Sequence, residues 1–444
     1  MAAAGYIPYR RLDRSGIRDV AGTGGGTGHR SVAAYDEDTT TMAFEAARGA
    51  LAAGRGAQPD LLIHATTAPP YLDKTNATTI HAALRLPSAC GAWDAGASVR
   101  SAAGALRLAL ERPGATLVTA ADIRTGQPGG AEEASGGDAA AALLVGGDGS
   151  ADAVLAEYLG GATVVDEFID RWRPPGQSWS RTWEERFGET RYVTAGKEAW
   201  AALDLDGFGV TAVDHLVVAG GHTRARSSLA KALTAGGAVG AMADDLASTV
   251  GNPGTAQPAL LLTSVLEQAA PGQVIALVVL ADGADVLLFR TTDLVAERRA
   301  PATIADQVAS GGRVSYGRFL AWRGFLTPEP PNRPEPPRVS APAAARNDEW
   351  KLGLVDADKR VFADARGRVA TYTVDRLAWS PSPPVVFAVV DFEGGGRMPV
   401  ELTDVEESEL TTGTEVEMVF RRLGTADGIH NYFWKARPVR RGQR

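Results

Sequence analysis

PSACGAWDAGASVRSAAGAL, residues 87–106, decides how the chain reads. From Ala92 to Leu106 the letters give a short strand, a tight turn and the start of an Ala-rich helix. A side chain at such a turn lies at the positive end of the helix dipole, where a thiolate is favoured over a thiol. This turn offers Ser98 and Val99 instead, and the one cysteine of the chain, Cys90, precedes the strand. The stretch has the frame of a nucleophile turn without the thiol that such a turn would activate. Cys90 itself reads as a small buried apolar residue.

Working outward, the chain of 444 residues is long enough for two or three domains with ample cores. Its hydrophobic content of 45% and charged content of 22% are those of a water-soluble globular protein. The net charge of −8 argues against nucleic acid or an anionic membrane as a main partner. No run of about 18 apolar residues is present, so no membrane span is expected. The opening MAAAGYIPYRRLDRSG lacks the long apolar core of a signal peptide, and one cysteine excludes an internal disulfide or a cysteine-rich metal site. These features give the expectation of a reduced, cytoplasmic protein with no bound metal.

To about residue 300, strand and helix signals alternate. Asp36–Asp38 precede a helix with Met42, Phe44, Ala47 and Leu51 at helical spacing. LLIHA (61–65) reads as a buried strand, Asn76–Leu84 as a helix, and TLVTAAD (116–122) and AAAALLVGG (139–147) as strands. The theme then restarts with a helix over Thr190–Leu203, the strand DHLVVAG (214–220) and a helix over Arg224–Leu233. A hairpin over 274–292 turns at Asp282-Gly283-Ala284. Alternating βα units of this kind point to a layered α/β architecture, and the restart points to an internal duplication. LTPEPPNRPEPPRVSAPAAAR (326–346) is Pro-rich and reads as a semi-rigid extended spacer. Beyond it, strands at 368–379, 384–392, 397–405, 415–423 and 430–439 read as a small β-barrel.

Several ordered segments resemble the 3-hydroxy-3-methylglutaryl-CoA synthases and the ketoacyl synthase III enzymes. They are residues 87–106, MAAAGYIPYRRLDRS (1–15), YDEDTTTMAFEAARGAL (35–51), EFIDRWRPPGQSWSRTWEERFGETRY (167–192), VGNPGTAQPALLLTSVLE (250–267) and PGQVIALVVLADGADVLLF (271–289). The resemblance spans about residues 5–295. It implies an α/β fold of the thiolase type: five layers in two duplicated halves, residues 1–155 and 156–300, usually dimeric, with a pantetheine tunnel ending at the nucleophile. A connecting segment and the spacer follow over 301–346. Residues 350–440, RGRVATYTVDRL through IHNYFWKARP, resemble the OB-fold domain associated with acyl-CoA enzymes, so 347–444 is assigned to an OB-fold barrel. In that family a zinc ribbon usually precedes the barrel. Here the interval KLGLVDADKRVFADARG carries no cysteine, so zinc is not expected.

The resemblance also implies a mechanism: a cysteine takes the acyl group as a thioester, a histidine and an asparagine polarise a thioester carbonyl, and a glutamate acts as general base. Carried over position by position, the glutamate becomes Thr67, the cysteine Val99 (four residues intervene after Asp94) and the histidine Ala219, while the asparagine persists as Asn252, with a structural Gly-Asn turn as its alternative. Ordinary HMG-CoA synthase activity is therefore not expected. Replacement candidates are Ser98 as nucleophile, with helix capping as its alternative, and His222 as acid, with a solvated helix start as its alternative. Arg224 is a candidate anion clamp, Arg171, Trp172 and Arg173 candidate contacts to the phosphates or adenine of CoA, with a charged loop as their alternative, and Gly251 a candidate substrate contact beside Asn252. Gly136-Gly137 and Gly220-Gly221 read as points of close backbone approach.

Two functions stay open at this point. One is acyl transfer or C–C bond chemistry on an acyl-CoA or acyl-carrier-protein thioester, with the thioester as substrate or ligand and no separate cofactor, independent of a Cys–His pair. The other is a non-catalytic scaffold or regulatory subunit that joins a thiolase through the barrel, as a homodimer.

Overall fold

The computed structural model describes residues 2–96, 98–146, 154–237, 239–297, 300–327, 329 and 361–440. Two five-stranded sheets repeat one topology. The first joins β1 (Ala2–Tyr6), β2 (Leu61–Ala65), β3 (Gly91–Ala95), β4 (Thr116–Asp122) and β5 (Ala139–Val145) in the order β1-β5-β4-β2-β3. The second joins β6 (Ala156–Val165), β7 (Val213–Gly220), β8 (Val239–Met242), β9 (Val274–Leu280) and β10 (Gly283–Thr291) in the order β6-β10-β9-β7-β8. In both, the first two pairings in that order are antiparallel and the last two parallel.

Helices α1 (Thr39–Ala53), α2 (Ala77–Ala83), α3 (Ser101–Glu111), α4 (Glu185–Ala201), α5 (Thr223–Thr234) and α6 (Gln257–Leu266) complete five layers. α1 and α2 cover the first sheet, α3 and α6 lie between the sheets, and α4 and α5 cover the second. This is the duplicated thiolase-type α/β fold. The layering explains the letters. β2, β4, β5 and β9 are sandwiched and buried at every residue, and read as unbroken apolar or small runs. α6 touches both sheets and is buried at all ten positions, so QPALLLTSVL carries no polar face.

Several elements differ from the sequence reading: β1 and β8 were not expected, and three further differences bear on the site. α4 begins at Glu185, five residues before the expected Thr190, with Glu184 in an extended conformation ahead of it. β6 was not expected: Gly160 and Gly161 mask the strand, yet Phe208 packs where a side chain at 160 would stand. The hairpin strands end at Leu280 and resume at Gly283, so Ala281 and Asp282 form the turn. Asp282 has φ +46°, and a Cβ on Gly283 would stand 2.1 Å from the Val164 carbonyl oxygen.

At the C-terminus, β11 (Arg366–Asp375), β12 (Val385–Phe392), β13 (Arg397–Leu402), β14 (Glu415–Ala426) and β15 (Ile429–Pro438) close a barrel in the order β11-β12-β13-β15-β14. Alternate residues such as Val386, Ala388, Val390 and Phe392 fill it. The Pro-rich spacer expected over 326–346 lies, apart from 326, 327 and 329, outside the described residues, as do 347–360.

The barrel shares a core with α1: Phe44 packs against Phe420 (5.4 Å between centroids) and Trp434 (5.6 Å). Charges are buried around that contact. Arg421, fully buried, reaches Glu37 at 3.2 Å and Asp404 at 2.9 Å; Lys435 reaches Asp36 at 3.0 Å and Glu401 at 2.6 Å. The Tyr432 hydroxyl donates to Asp38 at 2.7 Å. Asp38 also caps α1, accepting from the Thr40 and Thr41 amides at 3.0 Å. The acids of Tyr35-Asp36-Glu37-Asp38 thus start a helix and seat the barrel at once.

Candidate functional site

The positions marked in the sequence converge at the ends of the central strands, where ligands bind in sheets of this kind. Val99 lies in the turn between β3 and α3 and lines a cleft of about 820 Å³. Thr67 and Ser98 share that cleft with Arg171, Trp172, Arg173 and the Pro69-Pro70 segment. A second recess of about 900 Å³, lined by Trp172, Trp179, Trp183, Glu132 and His222, meets the first at Asp170, Arg171 and Gly221.

The floor of the cleft is built on Asp122, the fully buried last residue of β4. Its carboxylate accepts from the Thr67 amide (2.7 Å), the Thr67 hydroxyl (2.9 Å), the Thr66 hydroxyl (3.2 Å) and the Thr255 amide (2.9 Å). The Thr255 hydroxyl in turn donates to the Val99 carbonyl at 3.1 Å. Thr67 therefore serves as a tether. Ala219 is buried inside β7, paired with Val279 of β9, and presents only a methyl group.

Asn252 spans the two halves. Its Nδ2 donates to the Gly220 carbonyl at 2.8 Å and its Oδ1 accepts from the Gly254 amide at 2.9 Å. Its backbone pairs with Ser135 and Gly137 of the first half at 2.9 and 3.0 Å. Gly251 has φ +88°, and a Cβ there would fall 2.3 Å from the Gly136 carbonyl oxygen, so its glycine is a requirement of the backbone. Close approach likewise governs Gly137, where a Cβ would meet the Val250 oxygen at 2.0 Å.

His222 is the N-cap of α5. Its Nδ1 accepts from the Ala225 amide at 3.1 Å and its Nε2 lies 2.7 Å from the Glu185 carbonyl. An amide must donate to the first nitrogen and a carbonyl must accept from the second, which assigns the neutral Nε2–H tautomer. Both nitrogens are thereby committed. Arg224 lies more than half exposed beside Glu185 at 3.2 Å. Ser98 donates to Asp282 at 3.1 Å and accepts from the Arg100 amide at 3.1 Å; among the described residues no histidine bonds it. That is a turn-stabilising pattern just ahead of α3.

Arg171 ion-pairs with Glu132, which also holds Arg124 at 2.9 Å. Burial, with Arg124 alongside, pushes the Arg171 guanidinium down to about 10. Trp172 stands half-buried against Trp183, 6.2 Å between centroids. The sequence reading missed Asp122 and Asp170. Asp170 is buried, lines both recesses and is hydrogen-bonded by Tyr192. Burial pushes its carboxyl up, with the hydrogen bond from Tyr192 pulling it back. The available signals were the acid closing the apolar run TLVTAAD, and an acid preceding the Arg171-Trp172-Arg173 run already singled out. Among the described residues no group of His, Cys, Asp and Glu can hold a metal ion, and no helix is long and apolar enough to cross a membrane.

Known proteins place this geometry. Residues 360–421 match the family model of the ChsH2 C-terminal OB-fold domain. The hydroxymethylglutaryl-CoA synthase of Aeropyrum pernix is 27% identical over 342 residues, 72% of this chain and 92% of that one. A DUF35 domain-containing scaffold protein of Methanocaldococcus jannaschii is 28% identical over 109 residues, 23% of this chain and 72% of that one. Among solved structures, the HMG synthase of the curacin biosynthetic pathway in complex with apo donor-ACP superposes with a TM-score of 0.58 at 16% identity, covering 73% of this chain and 87% of that one. The 3-oxoacyl-(acyl carrier protein) synthase III of Pseudomonas aeruginosa gives 0.53 at 20% identity, covering 66% and 96%.

Proposed function

We propose that this homologue of the hydroxymethylglutaryl-CoA synthases, thiolase-type in fold and extended by an OB-fold barrel, holds an acyl-CoA or acyl-carrier-protein thioester without forming an acyl-enzyme. One observation carries the reading: the cleft is open down to Val99, while the groups that would do covalent work there are replaced or committed to structure. The Arg171 guanidinium and Trp172 ring supply an anion contact and a stacking face for the nucleotide end. Asn252 retains one amide hydrogen beyond its bond to Gly220. Asp170 is the titratable group at the junction of the two recesses, and proton transfer at the acyl group falls to it.

The test is calorimetric titration and thermal unfolding with a panel of CoA thioesters from acetyl to long-chain, together with intact-mass measurement. Selective binding with no added acyl mass is expected; at 100 times its Kd a ligand adds about 2.7 kcal/mol of stability. Stable acylation of the chain, or no binding of any thioester, overturns the reading.

The likeness of the barrel to a scaffold protein favours a second role as a joint to a thiolase, in a cytoplasmic assembly. The open edge of β3, with Trp93 62% exposed, favours a homodimer through that strand. Light scattering of the chain alone and with a thiolase measures both; a monomer that ignores the thiolase would remove this role.

A further inference from the structure

The barrel reaches the cleft as well as α1. The segment Thr67–Leu72 forms one lip of the cleft: Thr67, Ala68, Pro69, Pro70 and Leu72 line it, and Tyr71 does not. Tyr71 turns toward the hairpin of β14 and β15. Its hydroxyl accepts from the His430 amide at 2.7 Å, and its ring lies 5.0 Å from the imidazole at a 41° tilt. The hairpin braces that imidazole in turn, with Thr425 Oγ1 2.8 Å from His430 Nδ1.

Tyr71 is tied to the body of the fold as well. The Tyr71 amide donates to Asn76 Oδ1 at 3.1 Å and its carbonyl accepts from Asn76 Nδ2 at 2.9 Å. Asn76 hangs from Asp94 of β3 by its own amide (2.7 Å) and by Nδ2 (2.9 Å). Asp94, the residue that heads the nucleophile turn, is thus the anchor of this chain of contacts. Pro69 and Pro70 fix their φ angles, so a stiff segment runs from Thr67, tied to Asp122, to the point where Tyr71 is held. Leu72, the next residue, is 81% exposed at the mouth and has no seat of its own in either core.

We infer that the barrel is a working part of the cleft: His430 is a positioning residue that latches Tyr71, and the affinity of the cleft for its thioester depends on this contact. The inference rests on the thioester reading of the cleft. It also gives the fusion a physical purpose distinct from joining partners, since a barrel seated on α1 brings its hairpin to the lip every time.

The test uses the full chain with three variants: Tyr71→Phe, which removes the acceptor and keeps the ring; His430→Ala, which removes the ring and keeps the amide; and His430→Phe, which keeps both ring and amide. Two quantities are read, amide hydrogen exchange across residues 66–76 and the Kd for acetyl-CoA. A neutral hydrogen bond or an aromatic pair of this kind corresponds to about fivefold in an equilibrium constant. Tyr71→Phe and His430→Ala are therefore each expected to speed exchange at Tyr71 and Leu72 by about fivefold and to weaken binding by a similar factor, with His430→Phe near the parent in both. Unchanged exchange in both Tyr71→Phe and His430→Ala overturns the latch. Faster exchange with an unchanged Kd overturns its coupling to the cleft. A parent chain that binds no thioester defeats the proposed function instead, and the exchange arm then decides the latch alone.

Discussion

The seam between α1 and the barrel and the floor of the cleft are built from similar materials and put them to opposite use. Both hold buried carboxylates near arginines. At the seam, Asp36, Glu37 and Asp404 surround Arg421 with no opening to solvent. At the cleft, Arg171 and Arg124 share Glu132 beside open space, while Asp122 accepts from two threonine hydroxyls and two threonine amides and lies 3.7 Å from Arg124. The charges of the seam are locked because each has a buried partner that cannot be left alone. At the cleft, Arg171 is paired with Glu132 and otherwise borders the open space. The family-like motif at 35–51 therefore reports on docking and core formation, and its presence says nothing about chemistry 50 residues further on.

Replacing one arginine in each region gives the sharpest contrast. Arg421→Met takes the cation from buried Glu37 and leaves Asp36 to Lys435 and Asp404 to Arg440, a change that costs about 3–5 kcal/mol. Arg171→Met leaves Glu132 paired with Arg124 and is expected to cost about 1–2 kcal/mol. Denaturant unfolding of both variants reads the difference. Equal losses would show that the seam is as relaxed as the cleft and would break the comparison.

A smaller effect separates the two regions by pH. His64 sits fully buried in β2, its Nδ1 3.1 Å from Thr119 Oγ1, with the charges of Asp94 on the cleft side and Asp38 on the seam side. Burial pushes the imidazole down to about 4, against 6.5 when solvated. Such a base binds fewer protons folded than unfolded, so its contribution is complete above pH 6.5 and is lost as pH falls toward 4. The loss reaches up to about 3 kcal/mol. His64→Leu is expected to flatten this acid limb of the stability curve, which unfolding midpoints from pH 7 to pH 4 measure. An unaltered limb would move the acid sensitivity to the carboxylates of the seam.

The fold was legible because packing writes in periods. Runs such as LLIHA and AAAALLV have to be apolar when helices cover both faces, and the barrel strands alternate because one face is wet. β6 was illegible because Gly160 is set by Phe208 and Gly161 by the Val286 carbonyl, contacts that no local pattern announces. The cleft was legible as a set of positions and illegible as bonds. Val99 and Thr67 were placed by the family resemblance, whereas the commitment of the second His222 nitrogen depends on the Glu185 carbonyl, 37 residues away. The role of Asp122 appears only when Thr66, Thr67 and Thr255 are brought together from distant parts of the chain. The sequence reading also left the Asp36–Asp38 acids as a helix start, because their partners Arg421 and Lys435 lie nearly 400 residues on.

The least disruptive variant addresses the turn itself. Val99→Cys shortens a half-buried side chain and is expected to cost about 1 kcal/mol. The new thiol stands ahead of the 11-residue helix α3, whose first turn has no side-chain cap, and faces the open cleft. A thiol there is expected to be largely thiolate near neutral pH and to alkylate rapidly with iodoacetamide. Cys90 supplies the internal control, since burial pushes its thiol up and keeps it slow. Condensation activity is not expected to return, because Ala219 and Thr67 still offer neither a carbonyl donor nor a general base. Slow alkylation at 99 would show that the turn does not open into the cleft. Turnover by Val99→Cys would show that the rest of the machinery survives in other residues, with Asp170 the first to test, and would erase the distinction drawn between a locked seam and an emptied site.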